Sequence, residues 1–130
     1  MTDSRAILAV AVGAGLGGVL RLLITQFVVG RFGAGLAFYA TLFINVSGSF
    51  AIGLVLELAQ TRAHFNTLWR TFFTTGVLGG YTTFSTFSYE ALGMFTSALT
   101  LTGIAYIVAS VTLAIVGSLA GIVAARSLAH

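Results

Sequence analysis

The sequence predicts an all-α integral membrane protein with four transmembrane helices, the third of them broken at mid-membrane. Hydrophobic residues make up 58% of the 130 residues and charged residues only 7%. A globular domain carries about 25% charged residues, so this chain could not cover a wet surface. Four apolar stretches each reach the length of a membrane span, about 20 residues. The third contains GGYTT at residues 79–83, which are weak helix formers.

The four spans are expected at residues 6–29, 37–60, 68–98 and 101–126, joined by short connections. Because no segment remains for a soluble domain, the whole chain, 1–130, is expected to be one four-helix transmembrane domain. The first span follows Arg5 and resembles the start of a signal peptide. Its apolar run is longer than the core of a signal, about 7–15 residues, so we expect it to stay in the protein.

Charge is scarce and scattered. The chain has six Arg, no Lys and three acidic residues. The Arg residues lie mostly at segment ends rather than in one basic patch, so no nucleic-acid partner is expected. There is no Cys, which excludes disulfides and thiolate metal sites. No nucleophile–base pair or metal-ligand cluster is recognisable, and His64 and His130 stand apart from other ligands. The chain is therefore expected not to be an enzyme.

Four spans place both termini on one side of the membrane. That side would hold Arg5, Arg62, Arg70 and Arg126, and the other side Arg31. The positive-inside rule then favours cytoplasmic termini.

The stretch GGYTTFSTFS at residues 79–88 interrupts the third span. The segments on either side of GGYTT (79–83), residues 68–78 and 84–99, are helix-like but too short to cross alone. Lipid cannot satisfy a free backbone carbonyl, so a broken helix must line a cavity, bind an ion or be buried in protein. Carbonyls at one end of the break suit Na⁺, and N–H groups at the other suit an anion. The pattern alone leaves both open.

Several polar and aromatic residues lie at helical spacing. Phe84 and Phe87 share a helix face, where their ring edges could guide an anion or simply pack. In the second span Thr41, Asn45 and Ser49 recur every four residues, which indicates either pore lining or hydrogen bonding between helices.

The fourth span carries a similar polar pair and two glycines. Tyr106 and Ser110 are one turn apart, a weak signal by itself. Gly117 and Gly121 form a GxxxG pattern, which indicates close helix packing.

Two charged residues fall inside the spans. Arg21 either snorkels to the interface or holds positive charge at an aqueous entrance. Glu90 follows the break by about two turns and is expected to face a vestibule or to pair with an Arg, because a carboxylate in lipid is unfavourable.

The motifs GGVLR (17–21), TLFINVSGSFAIG (41–53) and GVLGGYTTFSTFSYE (76–90) resemble those of the Fluc (CrcB) family of fluoride channels. The similarity runs along the whole chain. It implies a dual-topology homodimer, two antiparallel copies in the lipid of the cell (inner) membrane, with two fluoride pores. Passive fluoride efflux would lower cytoplasmic fluoride and give fluoride resistance.

The resemblance also implies roles for individual residues. The fluoride pore would contain Asn45, Phe84, Phe87, Tyr106, Ser110 and Thr41, and the vestibule Arg21 and Glu90. A structural Na⁺ at the centre of the dimer would be held by the backbone carbonyls of Gly79 and Thr82 from both subunits. One turn beyond Ser110, where some members have a hydroxyl, this chain has Ala114.

Two other functions fit a short four-helix membrane protein. A small multidrug-type dual-topology transporter needs a membrane-embedded carboxylate, but the first span has Arg21 and no acid. A structural subunit of a membrane complex would use the polar residues only to join helices.

Overall fold

The computed structural model describes residues 3–61 and 65–128, and those ranges contain helices and no strand. The helices are α1 (Ser4–Phe32), α2 (Ala37–Thr61), α3 (Thr67–Thr71), α4 (Gly79–Tyr81), α5 (Phe84–Thr96) and α6 (Thr100–Ser127). A 3-10 turn at Ala34–Leu36 leads into α2, and a π-helix at Phe72–Leu78 joins α3 to α4. Arg62, His64 and His130 lie outside the described residues.

Three segments are long and apolar enough to cross a membrane: Ser4–Phe32, Ala34–Thr61 and Thr100–Leu128, with mean hydropathies of 2.2, 1.8 and 2.3. A helix of 29 residues is about 43 Å long, whereas the hydrocarbon core of a bilayer is about 30 Å thick. Only 11% to 17% of the most apolar 18-residue stretch of each segment is buried within the chain. Most of this apolar surface therefore requires lipid or another protein chain as its neighbour.

The remaining expected span, residues 68–98, is assembled from shorter pieces. Helical backbone runs from α3 through the π-helix to the end of α4 at Tyr81. Thr82 and Thr83 are then extended, with ψ angles of 157° and 114°. Helix α5 begins at Phe84. The interruption is thus two residues long.

The glycines before this interruption are helical, contrary to the expectation that they form part of the gap. Gly79 has φ −63° and ψ −37°, an ordinary α-helical conformation. The space around Gly80 explains its small size, because a Cβ there would lie 2.8 Å from the Cα of Ala14 on α1. Such a contact requires the absence of a side chain, so this glycine serves close packing.

Glycines on α1 make room for the π-helix in the same way. A Cβ on Gly13 would lie 2.8 Å from the carbonyl oxygen of Phe72, and one on Gly17 would overlap the carbonyl oxygen of Val77. The π geometry is visible in the Gly79 N–H, which donates to the carbonyl of Thr74 five residues earlier. The π-helix therefore packs closely against a face of α1 that carries glycines instead of larger side chains.

Helices α2 and α6 also pack through glycines. A Cβ on Gly117 would lie 3.0 Å from the carbonyl oxygen of Val46, and one on Gly121 would lie 2.8 Å from the backbone nitrogen of Leu54. The GxxxG pattern predicted this close approach. The Ser118 hydroxyl adds a hydrogen bond of 3.0 Å across the same contact, to the carbonyl of Ser49.

Two small cores lie on either side of the interruption. One joins α2 to the end of the π-helix and α4, and consists of Ala40, Ile44, Leu78 and Tyr81. The other joins α5 to α6, and consists of Phe87, Ala91, Met94 and Tyr106. Because each half of the broken helix has its own core, the two extended threonines are held from both directions.

Most charged residues gather at one end of the bundle. Helix α1 begins there, α2 ends there, and Arg5 and Arg70 lie on its helix termini. Arg126 Nε donates to Oε1 of Glu57 at 2.7 Å, which joins the ends of α6 and α2. Arg31 lies in the last turn of α1, at the opposite end.

Candidate functional site

Asn45 on α2 is hydrogen-bonded to both backbone groups of Thr83 in the interrupted segment. Its Oδ1 accepts from the Thr83 N–H at 2.8 Å, and its Nδ2 donates to the Thr83 carbonyl at 2.9 Å. A carboxamide has the same donor and acceptor groups as a peptide, so it can replace a missing backbone partner. These two bonds, henceforth the Asn45 clamp, hold the chain extended where a helix would otherwise continue.

The threonine hydroxyls satisfy the helix ends beside the clamp. Thr83 is the N-cap of α5, and its Oγ1 accepts from the Thr86 N–H at 3.2 Å. The Thr82 hydroxyl donates back to the carbonyl of Leu78 at 2.9 Å. Free N–H and carbonyl groups at a helix interruption are unfavourable without such partners. The local sequence TT is therefore suited to ending one helix and starting another.

A cavity of about 360 Å³ opens on one side of the interruption, and we call it the aromatic cavity. Its lining includes Asn45, Gly79, Thr82, Phe84, Phe87 and Ser110. Ser110 Oγ is buried and has no hydrogen-bond partner among the described residues. A buried hydroxyl without a partner is unfavourable, so an ion or water bound beside Ser110 would supply the missing hydrogen bond.

A second cavity, of about 380 Å³, lies on the other side and is here called the threonine cavity. Its polar lining consists of Arg21, Thr25, Thr41, Thr83, Thr86 and Glu90. Thr83 borders both cavities, so the extended segment is the partition between them.

Glu90 is the hydrogen-bonding centre of the threonine cavity. Thr41 donates to its Oε1 at 2.9 Å, and Tyr106 donates to its Oε2 at 2.7 Å. Thr41 and Tyr106 are both buried. The sequence left open whether Glu90 faces a vestibule or pairs with an Arg; it lines this cavity, and the ion pair found among the described residues is that of Glu57 with Arg126.

Arg21 reaches the interruption from α1. Its Nη1 donates to the carbonyl of Thr82 at a distance of 3.4 Å. It also lines the threonine cavity, so its charge is directed into the protein rather than along the helix to the interface. This position is compatible with positive charge at an aqueous entrance, and that role stays a prediction.

The two phenylalanines are close but differ in surroundings. Their ring centroids are 5.6 Å apart with an interplanar angle of 47°. Phe87 is 8% exposed and packs against Tyr106, with centroids 5.2 Å apart. Phe84 is 79% exposed. One ring therefore belongs to the core of the chain, and the other projects from it beside the aromatic cavity.

The described residues contain no group of three or more His, Cys, Asp or Glu, but two main-chain oxygens at the interruption lack their usual helical donors. The N–H of Thr83, the usual helical partner of the Gly79 carbonyl, donates to Asn45. The N–H of Thr86, the usual partner of the Thr82 carbonyl, donates to the Thr83 hydroxyl. Two carbonyls of the kind that suits a hard cation are thereby released from the helix.

The sequence-predicted residues fall into two groups. Those that line the aromatic cavity are Asn45, Phe84, Phe87, Ser110, Gly79 and Thr82. Those that line the threonine cavity are Arg21, Thr41 and Glu90. Tyr106 lines neither, but it contacts both groups through Phe87 and Glu90. Their roles in ion movement stay predictions.

Three threonines of the site were not singled out from the sequence. Thr25 lies one turn after Arg21, and this polar spacing on an apolar helix was the available signal. Thr83 directly precedes a helix-like segment, and threonine is a preferred N-cap residue, which was its available signal. Thr86 had no local signal of its own.

Comparisons with known proteins identify the family of the chain. Residues 8–122 match the family model described as CrcB-like protein, Camphor Resistance (CrcB). The chain is 45% identical over 123 residues to a protein of Rhizobium meliloti named fluoride-specific ion channel FluC, covering 94% of this chain and 97% of that one. A protein of the same name from Roseiflexus sp. is 43% identical over 122 residues, 94% of this chain and 98% of the relative. The chain is a multi-pass membrane protein and belongs to the CrcB family.

Proposed function

We propose that the chain is a fluoride-selective channel that exports fluoride passively across the cell (inner) membrane, lowers cytoplasmic fluoride and gives fluoride resistance. The observation that carries the proposal is the identity of 43% to 45%, over 94% of the chain, to proteins named fluoride-specific ion channel. Proteins named in this way are channels and not enzymes, which agrees with the absence of a catalytic motif in the sequence. The same comparison does not favour a multidrug-type transporter or a structural subunit.

The chemistry of the aromatic cavity supports anion passage. Fluoride is small and strongly hydrated, so a pore must replace its water by donors supplied in several weak pieces. The buried hydroxyl of Ser110 has no partner among the described residues and lines the same cavity as Phe84 and Phe87. Ring edges carry partial positive charge, so they attract an anion without a fixed full charge.

An antiparallel homodimer completes this arrangement in our proposal. Phe84 projects from the chain with 79% of its surface exposed, next to a cavity that is open at the side. Gly79 is exposed beside it. A second copy packed here would cover both residues and enclose two equivalent pores, since a two-fold axis repeats every contact. In this arrangement the interruption at Thr82 and Thr83 lies at mid-membrane.

Na⁺ would lie at the centre of that dimer, on the carbonyls of Gly79 and Thr82 from each copy. The support is the diversion of the two N–H groups that would have bonded these carbonyls in a continuous helix. The ion would supply a fixed positive charge and join the two interrupted helices.

Flux from liposomes tests the function. Purified protein should release fluoride and retain chloride under equal gradients. Phe84→Ile and Phe87→Ile should each reduce fluoride release well below the wild-type rate, because both rings line the aromatic cavity. Phe27→Ile is the matched control, since Phe27 is an exposed ring on α1 that lines neither cavity.

Two outcomes would contradict the proposal. Equal release of fluoride and chloride would remove the selectivity, and absence of any flux from folded protein would favour a structural subunit. Wild-type fluoride release in both ring variants would leave the channel in place but refute the assignment of the rings.

A further inference from the structure

The Asn45 clamp changes which backbone groups are available at the interruption. In a continuous α-helix the N–H of Thr83 would bond the carbonyl of Gly79, four residues earlier. It donates instead to Asn45 Oδ1 at 2.8 Å, and the second clamp bond, from Nδ2 to the Thr83 carbonyl at 2.9 Å, fixes the direction of the carboxamide. The Asn45 side chain therefore competes directly with Gly79 for one proton donor.

The released carbonyl lies in a place where an ion can reach it. Gly79 lines the aromatic cavity and is exposed on the single chain. The backbone is α-helical at Gly79 and extended at Thr83. This change of conformation leaves the Gly79 carbonyl oxygen without its ordinary helical donor. In apolar surroundings such an oxygen is unfavourable unless a cation or a donor contacts it.

We propose that Asn45 is a positioning residue that sets the affinity of the cation site. By holding the N–H of Thr83, its Oδ1 keeps the Gly79 carbonyl free for Na⁺. When the clamp is lost, the N–H returns to Gly79, the helix closes by one bond and the site loses a ligand. The inference rests on the proposed Na⁺ site, and it links a residue of α2 to the cation across the helix interface.

Thr83 and Asn45 each remove the helical donor of a different carbonyl. The Thr83 hydroxyl takes the N–H of Thr86 and so removes the helical donor of the Thr82 carbonyl, which accepts from Arg21 at 3.4 Å. Asn45 removes the helical donor of the Gly79 carbonyl. The first contact is local, within one helix cap, and the second joins residues 38 positions apart. Only the second can be removed without changing the sequence of the interrupted segment.

The test measures Na⁺-dependent stability, which does not require fluoride transport. The melting temperature of the purified full-length protein in detergent is titrated with NaCl against N-methylglucamine chloride at constant ionic strength. Asn45→Leu keeps the approximate volume of the side chain but has no acceptor for the Thr83 N–H. Its Na⁺ midpoint should rise at least about fivefold, the equivalent of one hydrogen bond regained at Gly79.

Two further variants separate the N–H capture from other roles of Asn45. Asn45→Asp keeps an oxygen that accepts from Thr83, so its Na⁺ midpoint should stay within about threefold of wild type or fall. Ser49→Ala, one turn further on the same face of α2 and in the same cavity, should leave the midpoint unchanged. Fluoride release is measured in parallel for all three.

The outcomes are distinct. If Asn45 only donates to the anion, fluoride release falls in Asn45→Leu and Asn45→Asp while both Na⁺ midpoints stay at the wild-type value. That result overturns the inference. A rise of the Asn45→Asp midpoint of about fivefold or more above wild type also overturns it, and this result needs no measurement on Asn45→Leu if that variant does not fold. Fluoride flux from wild-type protein without any Na⁺ response would refute the cation site while leaving the channel intact.

Discussion

The hydroxyl of Tyr106 on α6 donates a hydrogen bond of 2.7 Å to Oε2 of Glu90 on α5. The other carboxylate oxygen accepts from Thr41 on α2, so a single side chain joins three helices. This contact lies between the threonine cavity, which Glu90 lines, and the ring of Phe87 in the aromatic cavity. It gives the first prediction.

Tyr106→Phe removes this donor and keeps the ring that packs against Phe87. We expect a loss of about 1 kcal/mol in the free energy of unfolding, because one oxygen of a part-buried carboxyl group loses its partner. Tyr89→Phe is the control, since Tyr89 is the neighbour of Glu90 but is 79% exposed. Chemical unfolding in detergent measures both variants. Equal stabilities for the two would show that the hydrogen bond contributes nothing.

Gly17→Ala should disrupt the contact of α1 with the π-helix. A Cβ at this position would overlap the carbonyl oxygen of Val77, which belongs to backbone and cannot rotate away. We expect a destabilisation of about 1–3 kcal/mol, typical of overpacking. Gly15→Ala, where a Cβ meets nothing within 4 Å, should be neutral or stabilising by up to about 1 kcal/mol. Thermal unfolding of the two variants is the measurement, and the reverse order of stabilities would contradict the packing described here.

Ala98→Gly should stabilise the turn between α5 and α6. Ala98 has φ +59°, a conformation that side chains disfavour, and the bond from the Leu99 N–H to the Met94 carbonyl at 2.9 Å holds it there. Relief of this strain exceeds the added chain entropy of glycine, so we expect a gain of about 0.5–1 kcal/mol. Ser97→Gly, at φ −97°, should instead lose stability. A loss in both variants would contradict the prediction.

Arg21→Gln should strengthen the binding of Na⁺, if the cation binds as proposed. Arg21 Nη1 lies 3.4 Å from the carbonyl oxygen of Thr82, so its positive charge repels a cation on the same oxygen. We expect the Na⁺ midpoint of the melting temperature to fall by about threefold or more, since the effective dielectric constant near such a site is about 20.

Arg31→Gln serves as the control for that experiment. It removes the same charge from the last turn of the same helix, at the other end of the bundle from the charged cluster and away from the interruption. Its Na⁺ midpoint should stay at the wild-type value. If the two variants shift equally, a general effect of net charge explains the result and the local repulsion does not.

Local patterns in the sequence predicted the helices and several of the contacts. Apolar length predicted the long spans, because the bilayer fixes how many residues are needed to cross it. The spacing of Gly117 and Gly121 predicted close helix packing, and the structure shows that the partner is α2. The four-residue repeat of Thr41 and Asn45 predicted that both face protein or water, and the structure places them at the two cavities.

Other features depend on contacts that no local pattern contains. The hydrogen bonds of Asn45 join it to a residue 38 positions away, and only the packing of α2 on the interrupted helix brings them together. The π-helix has residues with ordinary helix propensity, and its geometry follows from its fit against Gly13 and Gly17. The assignment of Gly80 to the gap was wrong. The sequence alone does not distinguish a glycine that breaks a helix from one that allows a neighbouring helix to approach closely. The dimer and its Na⁺ stay predictions.

The π-helix at Phe72–Leu78 also determines where this part of the chain can change its length. Its wide turn takes up one residue more than an α turn does. Deleting one residue within it would restore regular α winding and leave the helix beyond it in nearly the same register, so Tyr81 would still face Ser47 and Thr83 would still face Asn45. Deleting one residue from Gly79–Tyr81, where the winding is already regular, would instead rotate Thr83 by about 100° away from Asn45. The least regular helix of the bundle is therefore the place where the third span tolerates the loss of a residue.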